Sequence, residues 1–145
     1  MMDSAEAYRL ALEKRQSLQI EARGFGIDET FVGELVEQFY RKVRIDPDLG
    51  PVFERVIKNN WDPHLAKMKL FWESVILRSG DYKGKPMKVH RKVIGGEPEH
   101  FAIWLRLFEE TLNEIAPSEE AKAQFLERAR FMAPRLKLAM FGENS

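Results

Sequence analysis

The sequence predicts an all-α fold, and three observations predict it. Apolar residues recur at helical spacing along nearly the whole chain instead of in strict alternation, and the Gly and Pro residues fall between those stretches. The 145 residues contain no repeat and no low-complexity segment, a length that suits one domain with a core of its own.

Residues 3 to about 20 are polar and helix-prone, with a thin apolar stripe of Tyr8, Ala11 and Leu12 and with Leu10 on the other side. The expectation is a peripheral or frayed helix. Residues 1–25 therefore read as an N-terminal extension, helical or partly disordered, ahead of a domain over residues 26–145. After Gly26, Asp28 is the N-cap expected for a helix running to about Ile45, in which Val32, Leu35, Val36, Phe39, Tyr40 and Val43 share an arc of about 140°. Asp46 and Pro47 stop it. Residues 49–57 form a short helix ended by Asn59 and Asn60.

A second strong helix, 62–78, is expected with Asp62 as its cap and Pro63 at its first position. It brings His64, Met68, Phe71 and Val75 onto one face, flanked by Trp61 and Trp72. Residues 79–86 are turn-rich, and the following MKVHRKVI is a short helical piece carrying His90 and closed by Gly95 and Gly96. Pro98 starts a third long helix to about Ile115, with Phe101, Trp104, Phe108 and Ile115 on one face. Pro117 and Ser118 precede the last helix, 118–141, whose buried face is Phe125, Ala129, Met132, Leu136 and Met140, with Pro134 on the solvent side.

Composition narrows the chemistry. With 23 Lys plus Arg against 23 Asp plus Glu there is no basic field of the kind that binds a phosphate backbone, so no nucleic-acid partner is expected. No apolar run reaches the roughly eighteen residues of a membrane span, and the opening lacks a secretory pattern, so a cytoplasmic protein is expected. Cysteine is absent, which excludes thiol chemistry and cysteine metal sites. No P-loop, dinucleotide fingerprint, HExxH pair or GxSxG elbow is present, and carboxylates such as Glu109, Glu110 and Glu114 read as a solvated helix face.

His64 and His90 each stand beside apolar residues on separate helical pieces, where they can line one pocket. Taken alone, each reads as a core histidine satisfied by a hydrogen bond. His100, near a helix start, reads as surface. The company changes the balance: Phe39, Tyr40, Phe53, Trp72 and Trp104 are large flat groups, and Tyr and Trp each bring a donor that needs a partner when buried. A wide, flat, apolar ligand with a metal at its centre would use them, with an imidazole on one face and donors on the other. A haem-free helical protein-interaction module, whose histidines and aromatics are only core or interface, is the alternative.

The stretches FYRKVRIDPDLGPVF, WDPHLAKMKLFWESVIL, GDYKGKPMKVH and HFAIWLRLFEETL, in that order over about residues 30 to 140, resemble the truncated haemoglobins, specifically their group III. The resemblance implies a two-over-two α-helical sandwich holding haem b (iron protoporphyrin IX). It implies His90 as the proximal iron ligand and Tyr40, His64 and Trp104 as distal donors. Phe39, Phe53, Met68 and Trp72 become pocket walls, and Lys67 and Arg91 are nominated for the propionates. The function implied is reversible binding of dioxygen, NO and CO. Whether the chain is also an enzyme stays open, NO dioxygenase or peroxidase-like chemistry being the options and a reductase the partner that turnover requires.

Overall fold

A computed structural model of the chain describes residues 3–78 and 99–137. Expectations for residues 79–98, His90 and Arg91 among them, and for residues 138–141 lie outside the described residues, as do the side chains of Pro134 and Leu136. The described residues form α1 (Ser4–Gly24), α2 (Glu29–Ile45), α3 (Leu49–Ile57), α4 (Trp61–Ile76), α5 (Glu99–Ile115) and α6 (Glu119–Lys137), with no strand among them. None of these helices is long and apolar enough to cross a membrane.

Asp3 caps α1 by accepting a hydrogen bond from the Glu6 amide at 2.8 Å. The first half of the helix is exposed, with Tyr8 outermost, as a thin apolar stripe dictates. Its second half docks: Ala22 is buried, and the Arg15 Nε and Gln19 Nε2 groups donate to the Arg78 carbonyl at 2.8 and 3.2 Å. The turn into α2 requires Gly26, whose φ of 93° lies in the left-handed region and whose missing Cβ would stand 2.8 Å from Pro117. Ser118 fastens the same corner by donating to the Phe25 carbonyl at 2.6 Å and accepting from the Ala121 amide at 3.1 Å.

Asp28 caps α2 as expected, its Oδ1 accepting from the Phe31 amide at 2.8 Å, and all six residues of the expected arc are buried. That arc makes α2 the centre of the fold, packing against α3, α4 and α5. In turn α5 packs against α6, so the α2–α4 pair lies over the α5–α6 pair. This is the two-over-two sandwich. Trp72 joins the layers, stacking on Phe108 of α5 (5.2 Å, 19°) and meeting Phe125 of α6 at 5.3 Å. The short α3 comes so close to the end of α2 that a Cβ on Gly50 would stand 2.5 Å from the Arg44 carbonyl oxygen.

The start of α4 differs from expectation. Its N-cap is Asn60, which makes no side-chain capping bond, and the helix begins at Trp61 instead of after Asp62. Lys58 supplies the reason: its φ of 56° ends α3 in the left-handed region and reverses the chain early enough for Trp61 to enter the helix. Asp62 and Pro63 then fall in the first turn, where an acid faces the positive end of the dipole and Pro lacks only an amide that has no intrahelical partner.

Candidate functional site

Three helices deliver the polar aromatic side chains that the sequence singles out. The strong arc of α2 turns Phe39 and Tyr40 inward, the first turn of α4 carries His64, and the inner face of α5 carries Trp104. All four are buried. The Tyr40 ring meets the His64 imidazole edge-on at 5.0 Å, while Phe39 touches Tyr40 at 4.8 Å and Trp104 at 5.4 Å. Tyr40, His64 and Trp104 therefore belong to one continuous aromatic cluster, with Phe39 as the hinge between the Tyr40–His64 contact and the Trp104 ring.

Other expected members hold different places. Phe53 is fully buried beneath Tyr40, with their centroids 6.2 Å apart. Met68 is buried one turn beyond His64. Trp72 joins the cluster through Phe108, on the side toward α6. Lys67 is exposed on the outer surface of α4. His90 and Arg91 lie outside the described residues.

Two residues that sequence reasoning did not place in the site complete it. Trp61 packs edge-on against His64 (5.8 Å, 85°), tilts against Tyr40 at 6.2 Å and stacks on Phe53 (6.5 Å, 22°). Phe108 lies parallel to Trp104 (5.7 Å, 1°) and meets Phe39 at 5.1 Å. Helical spacing carries the signal for both, since Trp61 precedes His64 by three residues and Phe108 follows Trp104 by four.

His100 corrects an expectation. It is half-buried instead of a surface residue, and its Nδ1 is enclosed with no hydrogen-bond partner among the described residues. The spacing explains this: His100 stands one turn before Trp104 and so begins the inner face of α5.

Burial pushes the Tyr40 phenol well above its ordinary value of 10.0, so the hydroxyl remains a donor even in alkaline solution. Among the described residues, the buried Thr111 is satisfied within its own helix by donating to the Leu107 carbonyl at 2.8 Å. His64 is also buried, an imidazole enclosed by aromatic rings. Charge stays outside: Arg44 lies over the Trp61 ring at 4.5 Å and pairs with Glu54 at 3.3 Å, and Glu37 pairs with Lys69 at 2.8 Å. Between those two pairs a cavity of about 660 Å³ opens along α2 and α4, with Tyr40, Leu65, Arg44 and Glu54 in its lining. The arrangement offers phenol, imidazole and indole groups, set among flat apolar walls, to a ligand that carries partial negative charge.

No protein-family model matches the chain. It is 41% identical over 118 residues to the Group 3 truncated hemoglobin ctb of Campylobacter jejuni, a match covering 79% of this chain and 92% of that protein. The crystal structure of group III truncated hemoglobin from the same organism superposes with a TM-score of 0.73 at 40% identity, covering 79% of this chain and 92% of that one. With that identity over most of both chains, on a two-over-two sandwich with the aromatic cluster at its centre, the chain belongs to the group III truncated haemoglobins.

Proposed function

We propose that this globin binds haem b and, through it, dioxygen and other diatomic gases such as NO and CO. One observation carries the reading: the Tyr40 hydroxyl, the His64 imidazole and the Trp104 indole come from three helices into one buried aromatic cluster. A core built for packing alone has little use for that gathering, because each polar tip loses its water on burial.

The donor set suits the group. Haem is a broad apolar plate, and Phe53, Met68 and the cluster rings supply apolar walls of matching character. When bound, haem b supplies reversible coordination of a diatomic gas. His90 is the residue assigned to hold the iron, and no cysteine competes with it. Lys67, exposed on α4, and Arg91 are the residues assigned to the propionates.

The chain's own distal residues do the rest. Tyr40 is a phenol whose ionisation burial opposes further, so its hydroxyl is available as a donor to the electron-rich end of the gas. The Trp104 indole N–H and the His64 imidazole are further donors of the same kind. The aromatic walls exclude water, which strengthens each of these bonds relative to solvent. Slow release of oxygen is the consequence.

The test is the visible spectrum of the purified full chain mixed with hemin. A Soret band with distinct reduced, oxygenated and carbon monoxide forms is expected. A chain that shows no Soret band after haem addition overturns the reading and restores the haem-free interaction module.

A further inference from the structure

The first turn of α4 poses a question that the distal donors do not answer: what holds it in place. Its N-cap residue Asn60 makes no side-chain capping bond, and the linker before it contains Lys58 in the left-handed region. An uncapped helix start next to a reversed linker is where fraying is expected. Yet His64 sits in that turn and is buried, its own amide donating to the Asn60 carbonyl at 3.1 Å.

The Trp61 side chain provides the missing anchor. Its indole Nε1 donates to Glu54 Oε1 of α3 at 2.9 Å. The same carboxylate oxygen accepts from Arg44 Nε of α2 at 3.3 Å, and the Arg44 guanidinium lies over the Trp61 ring at 4.5 Å. Glu54 and Arg44 thus grip one indole from its edge and its face, tying the first residue of α4 to two other helices. The inner side of that indole is one wall of the His64 site, at 5.8 Å and nearly perpendicular.

We infer that Trp61, clamped by Glu54 and Arg44, is the positioning residue for His64. The clamp substitutes for the absent cap and holds the imidazole against Tyr40. This rests on the reading of His64 as a distal donor, but the clamp itself is a property of the protein with or without haem. The grip is a charge-assisted hydrogen bond plus a cation–π contact, both directional, so loosening it frees the indole and with it the turn. Both charged partners also line the cavity that reaches Tyr40, so a loosened clamp widens that opening toward the distal residues.

Three variants of the full chain separate this from a general structural role. Glu54→Ala removes the acceptor, Trp61→Phe keeps a ring but removes the donor, and Glu54→Gln keeps an acceptor oxygen for the indole while losing the ion pair. Amide exchange of His64 is followed by NMR, with the Phe125 amide as a reference in the distant core. Glu54→Ala and Trp61→Phe should raise exchange at His64 roughly three- to tenfold, the loss of one such hydrogen bond, and leave Phe125 unchanged. Glu54→Gln, which keeps the acceptor but loses the charge, should lie between the parent and Glu54→Ala. A rise as large as that of Glu54→Ala would assign the grip to the ion pair alone and overturn the role of the indole hydrogen bond.

An unchanged His64 amide in Glu54→Ala, or an equal rise at Phe125, overturns the inference. After haem loading, the two disruptive variants should also bind carbon monoxide faster, because a freed His64 leaves the ligand path; equal rates with an intact Soret band count against the clamp. A parent chain that takes up no haem defeats the gas-binding reading instead, and the His64 amide still decides the clamp.

Discussion

The Tyr40 phenol lies among Phe39, Phe53, Trp61 and His64, and this enclosure extends the range over which the hydroxyl is protonated into alkaline solution. The sign of the linked stability effect follows. A folded-state value raised above the unfolded 10.0 means that the unfolded chain loses its proton first as the solution becomes alkaline. The contribution is therefore fully present below pH 10.0 and is lost progressively above it. Tyr40→Phe should flatten that part of the alkaline decline, measured as denaturant midpoints between neutral and strongly alkaline pH; an identical slope in the variant would assign the decline to other groups. The same substitution removes one donor to a partially charged ligand, and oxygen dissociation from the haem-loaded protein should accelerate by roughly tenfold or more. A rate equal to that of the parent would place the distal hydrogen bonding on Trp104 or His64.

Between residue and molecule, the helices differ in how their ends are secured. Asp28 makes a capping bond to the Phe31 amide and Asn60 makes none, so the two positions should respond differently to the same change. Asp28→Ala is expected to cost about 1 kcal/mol, while Asn60→Ala should leave stability within about half of that. Urea unfolding of both variants checks the contrast, and equal losses would contradict it. Where α3 meets the end of α2, backbone lies against backbone at Gly50, and a side chain there has no flexible neighbour to displace. Gly50→Ala should destabilise by about 1–3 kcal/mol. A neutral result in the same unfolding assay would mean that the two helices can part without loss.

Across the whole molecule, binding and folding are coupled. If His90 holds the iron, His90→Ala should abolish stable haem uptake and remove the rise in thermal midpoint that a ligand of the folded state confers by mass action. The haem-free midpoint should be unchanged. A variant that still retains haem, read from its Soret band in a thermal scan, would move the ligand role to another residue. At this scale the sequence was informative about elements and much less so about their junctions. The α2 arc was legible because six apolar residues at helical spacing permit one buried face, and Asp28 announced its start. The start of α4 was misread because Asp62 and Pro63 are good first-turn residues in either register, and only the left-handed backbone of Lys58 selects the earlier one.

The same division runs through the site. Periodicity alone determined that Phe39, Tyr40, His64 and Trp104 face inward, because a helix repeats every 3.6 residues whatever it packs against. The quoted motifs, carried by the sequence, identified the family to which 41% identity assigns the chain. Only the tertiary structure decided that Trp61 shares a wall with Tyr40 and that Phe108 meets Phe39. It also decided that Glu54 and Arg44 meet on one indole. These contacts join residues on different helices, and such distances depend on how the helices cross, which a repeat along one chain does not encode.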